Sequence, residues 1–213
     1  MSTAEKAAAG KPDRVSRRQV DKFEERRREL ADAALHTLST LGYARTSLRE
    51  IAQNSSFSHG VLHYYFRDKV DLIMYCVRQY KAVCVQRYDR IVATARTPEG
   101  LAQGFADGLV ATLVADDAMH RLWYDLRSQA LFEESFREDV LEIDATLERM
   151  IWRIVSRYSE LTGVAVLTSE SMTYAMFDGL FQQALLRRLA GVAGASENLH
   201  ASTVQLLKQV VPA

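Results

Sequence analysis

Residues Gly42 to Leu72, GYARTSLREIAQNSSFSHGVLHYYFRDKVDL, confine the fold more tightly than any other stretch of the chain. Ser47 followed by Glu50 forms a reciprocal capping box, which satisfies backbone N–H groups that a helix start otherwise leaves unpaired. Leu48, Ile51 and Ala52 are spaced for one helical face. Asn54, Ser55 and Ser56 then break this helix, and Ser58 caps a second one that runs through Tyr64 or Tyr65. Two helices of roughly two turns, joined by a few residues, have the dimensions of a helix-turn-helix, whose second helix lies in the DNA major groove. The segment points to DNA binding.

An ordered set of residues in the same segment resembles the tetracycline-repressor (TetR) family of bacterial transcription regulators. The set is Gly42-Tyr43, Thr46-Ser47, Ile51-Ala52, Ser58-His59-Gly60, Leu62, Tyr64-Tyr65-Phe66, Lys69 and Leu72, in order and without gaps. Two positions depart from the family pattern. Ser56 stands where the family usually places Gly, so the backbone either avoids positive φ there or is modestly strained. His63 replaces a Tyr that commonly touches phosphate, which leaves that contact pH-sensitive or absent.

The 213-residue chain is 48% hydrophobic, ample for a buried core, and no apolar run approaches the length of a membrane span. Its polar N-terminus lacks the hydrophobic region of a signal peptide, so a cytoplasmic protein with no membrane association is expected. Net charge is zero, yet residues 1–70 carry 13 Lys/Arg against 9 Asp/Glu and the remainder 14 against 18. Positive charge at the helix-turn-helix end suits a phosphate-facing surface, and an acidic remainder would be repelled from DNA. Cys76 and Cys84 lie eight residues apart on one expected helix, roughly 12 Å by helical rise and beyond disulfide reach. They read as reduced core residues or, alternatively, as a redox sensor.

Helix signals recur along the chain and strand signals are nearly absent, so an all-α fold of about nine helices is expected. Residues 1–20 read as a disordered basic arm carrying Lys11, Arg14, Arg17 and Arg18, either entering a minor groove or simply solvated. Phe23, Leu30, Ala34, Leu38 and Leu41 form one stripe of a first helix stopped by Gly42. Asp68 caps a long helix; Thr97-Pro98-Glu99 opens another, with Pro at its first position. Further helices start at Asp116 or Asp117, run through the stripe Phe136 to Tyr158 until Gly163, begin at Thr168, and open at Ser196. The expected organisation is a DNA-binding domain over 21–68 and a ligand-binding and dimerisation domain over 69–213, joined by one helix.

The resemblance places base contacts at Ser58, His59, Gly60 and Val61, where small or polar residues let the helix backbone approach base edges. His59 can donate to guanine N7 or O6, whereas Val61 offers only methyl contact to thymine. Thr46, Ser47, Tyr64 and Lys69 are the expected phosphate contacts, Lys69 standing in the first turn of the following helix. His63 has two readings, a phosphate contact or partial burial beside Tyr43.

The C-terminal part resembles the family's regulatory cores in two places. LWYDLRSQALFEESFRE looks like the aromatic helix, turn and charged helix of the betaine-regulator-like branch, and MFDGLFQQALL looks like the penultimate helix that packs in the dimer. Gly179 would let another backbone approach, flanked by Met172, Met176, Leu180 and Leu185; a contact inside one subunit is the other reading. A ligand pocket is expected among Tyr80, Cys84, Phe105, Leu109 and Met119, completed by Trp123, Tyr124, Arg127, Met150, Trp152 and Met176. Trp123, Tyr124 and Trp152 can face a cation, whereas Arg127 can pair with a carboxylate, so ligand charge stays open.

Catalytic signatures are absent from the sequence: there is no His-x-x-x-His or Cys-x-x-Cys metal spacing, nucleophile elbow, phosphate loop or dinucleotide fingerprint. No enzyme activity, metal or cofactor is expected, and an adaptor that has lost DNA recognition would show no salt-dependent DNA binding. The resemblance implies a homodimer that represses transcription from a palindromic double-stranded operator and is released by a small-molecule effector.

Overall fold

The computed structural model describes residues 13–43 and 45–212. Among these residues there are nine α-helices, one short 3-10 turn and no strand. Helix α1 (Asp13–Leu41) begins inside the stretch expected to be an arm. The Ala, Lys and Arg residues that make that stretch look disordered are also good helix formers, and they run straight into the apolar stripe. Residues 1–12, and the side chains of Arg14, Arg17 and Arg18, lie outside the described residues. The helix ends at Gly42, whose φ of 74° is a conformation that side-chain-bearing residues rarely adopt.

Two short helices follow, α2 (Leu48–Gln53) and α3 (His59–Tyr65). Ser47 and Glu50 form the capping box, Glu50 N–H donating to Ser47 Oγ at 3.2 Å and Ser47 N–H to Glu50 Oε2 at 2.8 Å. Between the helices, Asn54 Nδ2 donates to the Glu50 carbonyl at 2.8 Å and Phe57 N–H to Ser55 Oγ at 3.3 Å. Leu48, Ile51 and Leu62 are buried beneath the pair, against Leu30, Ala34 and Leu38 of α1.

Asp68 caps α4 (Lys69–Thr94), its carboxylate accepting from Asp71 N–H at 2.9 Å. The first turns of α4 lock onto α1 through Arg27. Its guanidinium lies 4.8 Å from the Phe66 ring centre and 4.4 Å from that of Tyr75, and bonds Asp71 at 3.2 Å. The rest of α4 enters the larger bundle, packing on α7 (Arg137–Thr162). That bundle also contains α5 (Pro98–Ala115), α6 (Asp117–Ala130), α8 (Glu170–Leu189) and α9 (Ala195–Val210), with α9 packed against α5 and α8. Ser169, not Thr168, caps α8, accepting from Met172 N–H at 3.3 Å. Cys76 and Cys84 are free thiols buried in this bundle, and burial pushes the Cys76 thiol well above its ordinary range. No helix among the described residues is long and apolar enough to cross a membrane.

Candidate DNA-binding face and buried cavity

Helix α3 sits on Leu62, which is fully buried, and turns most of its other side chains outward. Ser58, His59, Gly60, His63 and Tyr64 are exposed and Val61 half-buried. The His59 and His63 rings meet edge to face 4.4 Å apart, one helical turn from each other. His63 is therefore outward-facing and not buried beside Tyr43. Gly60 has a helical backbone, and a Cβ built on it meets nothing within 4 Å. Nothing among the described residues requires glycine there. Tyr64, 73% exposed, leans edge-on against Phe23 and Tyr65, so its hydroxyl is held on a short aromatic ledge.

One expected phosphate contact is corrected by the geometry, and a second is tied in part to the protein's own backbone. Thr46 is 3% exposed, and its hydroxyl donates to the Gly42 carbonyl at 2.7 Å. Helix α1 ends in carbonyls that need donors, and Thr46 supplies one in place of reaching outward. Lys69 is half-buried, with Nζ donating to the Tyr43 carbonyl at 2.9 Å and standing 3.8 Å from the Tyr43 ring centre. Burial lowers the pKa of its ammonium, opposed by Glu133, Glu50 and Asp125. Lys69 braces the turn after α1. Ser47 remains exposed, and the basic residues flanking the capping box, Arg45 and Arg49, are exposed as well, as is Arg67 just past α3. The sequence signal for these three is simple adjacency of arginine to the helix-turn-helix.

The same turn is gripped from the larger bundle. Asp125 of α6 accepts the Tyr43 N–H at 2.9 Å, and Phe136, in the 3-10 turn Glu134–Phe136, meets the Tyr43 ring at 5.0 Å.

On the other side of α6 lies a cavity of about 60 Å³, counted as volume open to the centre of a water molecule, enclosed by α4, α5, α6, α7 and α8. Of the expected pocket residues, Cys84, Leu109, Trp123, Tyr124 and Met150 line it. Tyr80 instead bonds His120 Nε2 at 3.1 Å, Phe105 packs on Phe177 at 5.3 Å, and Met119 is buried outside the lining. Arg127 sits behind the wall, bonding Asp178 at 2.6 Å and Asp144 at 3.3 Å. Trp152 and Met176 face elsewhere because of helical phase. The α7 wall is Leu147, Met150 and Ile151, and the α8 wall is Tyr174, Phe177, Asp178 and Phe181, at spacings of three and four residues.

The polar lining is not apparent from the sequence. Lys81, 5% exposed, lies 3.4 Å from His120 Nδ1 and 5.4 Å from the Trp123 ring centre. Desolvation lowers the Lys81 ammonium to about 8, and it lowers the His120 imidazole to about 2. Both carboxylate oxygens of Asp178 are engaged, one by Arg127 and the other by the Tyr124 hydroxyl at 3.0 Å. A spacing signal does exist, since Val77, Lys81, Cys84 and Tyr88 form one inward stripe of α4 in which only lysine is out of character.

The expected dimer face also divides. Leu185 is buried inside the subunit with Phe177, Phe181 and Ala184 and is withdrawn from the interface. Met172 is exposed, Met176 and Leu180 are half-buried, and Gly179 has nothing within 4 Å of a built Cβ, which removes the reading of a contact within one subunit. Leu186 and Leu189 continue the exposed stripe along α8.

Residues 30–76 match the family model described as bacterial regulatory proteins, tetR family. The HTH-type transcriptional regulator BetI of Paraburkholderia phytofirmans is 44% identical over 48 residues, 22% of this chain and only 25% of that relative's length. BetI of Paraburkholderia phymatum is 27% identical over 168 residues, covering 76% of this chain and 83% of the relative. A transcriptional regulator from Saccharomonospora viridis, solved in complex with choline, shares the fold at 15% identity with a TM-score of 0.72, covering 88% of this chain and 98% of that one.

Proposed function

We propose that this chain, a DNA-binding transcriptional regulator of the tetR family, acts as a homodimeric repressor that occupies a palindromic operator and leaves it when a small molecule fills the cavity between α4 and α8. The single observation that carries this reading is the double duty of α6. Trp123 and Tyr124 line the cavity, while the adjacent Asp125 holds Tyr43 at the base of the helix-turn-helix. An occupant that shifts α6 alters the pose of α2 and α3 through that hydrogen bond.

In this reading Ser58, His59, Gly60 and Val61 read bases, and Ser47, Tyr64, Arg45 and Arg49 approach phosphates, with His63 beside them. The α8 stripe from Met172 through Gly179 to Leu186 meets its copy across a two-fold axis, burying apolar side chains that one subunit leaves exposed. Pairing through α8 and α9 makes a four-helix interface and holds two recognition helices about one DNA turn apart, or a multiple of it. The choline held by the Saccharomonospora viridis regulator supports a small-molecule effector in this fold.

Footprinting on the DNA flanking the protein's own gene tests the proposal. The expected result is protection of two inverted half-sites by a dimer, lost on addition of the effector. Protection of a single half-site by a monomer would overturn it.

A further inference from the structure

We propose that the cavity takes a small monocarboxylate with an apolar body, its oxygens accepting from the Lys81 ammonium and the Trp123 indole N–H. This rests on the reading that the cavity is the effector site.

The argument is a surplus of donors. The hydroxyls and the carboxylate around the cavity are already paired. Thr112 Oγ1 is bonded by Arg87 at 2.7 Å and by the Tyr88 hydroxyl at 3.1 Å, and the Tyr174 hydroxyl donates to Asp144 at 2.5 Å. Asp178 is spent on Arg127 and Tyr124. Lys81 has three donors and one acceptor, the neutral His120, and no carboxylate among the described residues comes within salt-bridge distance. The Trp123 Nε1, in a side chain only 1% exposed, has no hydrogen-bond partner at all. A buried ammonium without a counter-ion and an unpaired indole N–H are each costly, and they lie in one small space. The ammonium lies over the indole, 5.4 Å from its ring centre, and both side chains line the same cavity, where a carboxylate can accept charge-assisted hydrogen bonds of about 2.8 Å.

A cationic ligand fits the same walls poorly. The Trp123 ring already has the Lys81 ammonium at 5.4 Å and the Arg127 guanidinium at 5.8 Å, and Arg127 stands 5.8 Å from the Tyr124 ring. An incoming cation would meet two fixed positive charges and a carboxylate whose oxygens are taken. The volume, about 60 Å³, admits roughly four to six non-hydrogen atoms. The remaining lining, Leu109, Leu147, Met150, Ile151, Phe177 and Phe181, suits a short aliphatic body.

Calorimetric titration with propionate, butyrate and isobutyrate, against isobutyramide, isobutanol and isobutylammonium, tests the ligand class on the full chain. At least one carboxylate is expected to bind tenfold or more tighter than the neutral compounds and to change tryptophan fluorescence. Lys81→Met should cut that preference to threefold or less, and Trp123→Phe should weaken the carboxylate several-fold while keeping the ring. The two variants are independent, so failure of either to fold leaves the other to decide. Carboxylates binding no better than their neutral counterparts, or isobutylammonium binding best, would overturn the proposal. Operator release is read separately. A carboxylate that binds through Lys81 without loosening the operator keeps the ligand class and removes the effector reading, whereas release by isobutylammonium alone keeps the effector reading and removes the ligand class.

Discussion

Replacing Asp125 with Ala takes away a carboxylate that ties α6 to the turn after α1, and the cost is set chiefly by its hydrogen bond to Tyr43. The Asp125 carboxylate accepts the Tyr43 N–H at 2.9 Å across 82 residues of sequence, and a Cβ on Gly42 would lie only 3.5 Å from the same oxygen. Hydrogen bonds to charged groups contribute about 1.5–3 kcal/mol, and Tyr43 is only half-buried, so water partly replaces the carboxylate and the loss should fall near 1.5 kcal/mol. For a chain of this size that corresponds to a fall in Tm of roughly 3–6 °C. Asp125→Asn keeps an acceptor without the charge, and charge-assisted bonds are about twice as strong as neutral ones, so about half the loss is expected. Hydrogen exchange by mass spectrometry should show faster exchange confined to the segment around Tyr43 and α2, with α7 to α9 unchanged. With operator DNA, the Ala variant should bind but respond weakly to the effector. Exchange at Tyr43 and effector response both unchanged would refute the idea that this bond couples the two parts.

His59→Ala should relax base preference at one position per half-site, at a cost of roughly 1–3 kcal/mol, measured by binding to operators varied at each position; equal loss on random DNA would make His59 a backbone contact. Arg49→Ala should lower the slope of log K against log salt by about one unit, while Lys69→Met should leave the slope alone and lower stability by about 0.5–1.5 kcal/mol, because the half-buried Lys69 donates to the Tyr43 carbonyl. A reduced slope for Lys69→Met would return it to the phosphate contacts. Gly179→Leu should give a folded monomer with lost operator affinity, seen by sedimentation and circular dichroism, since no atom of its own subunit obstructs the new side chain; a folded dimer would refute the α8 interface.

The parts of this molecule that are legible in the sequence are those set by local spacing. The Ser47–Glu50 box, the Ser58 and Asp68 caps, Thr97-Pro98 and the glycine stops at Gly42 and Gly163 each act within four residues, so they fix most helix limits. The TetR resemblance comes from the same ordered local motif. Long-range pairing is not legible. Nothing in sequence separates an arginine that reaches solvent from one that spans 51 residues to Asp178, as Arg127 does. Lysine and threonine also mislead by type: Lys81 sits buried in an apolar stripe, and Thr46, expected at phosphate, completes a helix end. In α8 there are more apolar residues than one face can hold, so sequence alone puts Met176 in the pocket and Leu185 at the interface, places that the helical phase denies them.

The placement of Lys81 gives the proposed regulation a second route besides α6. Lys81 lies twelve residues beyond Lys69 on one uninterrupted helix, roughly 18 Å along its axis. At that distant end Lys69 holds the Tyr43 carbonyl and Asp71 holds Arg27. A helix of this length does not stretch, so an anion that draws the Lys81 turn toward Trp123 must move the start of α4 as well. The two helices then act on the same short turn, α4 through the Tyr43 carbonyl and α6 through its N–H. Motion in the same sense carries the helix-turn-helix as a body, whereas motion in opposite senses strains the bonds at Tyr43. Combining Asp125→Ala with Lys69→Met separates these cases. If both helices act through Tyr43, the double variant should lose effector response by less than the sum of the single losses, because each single change already disables part of the shared link. Strictly additive losses would mean that α4 and α6 signal independently.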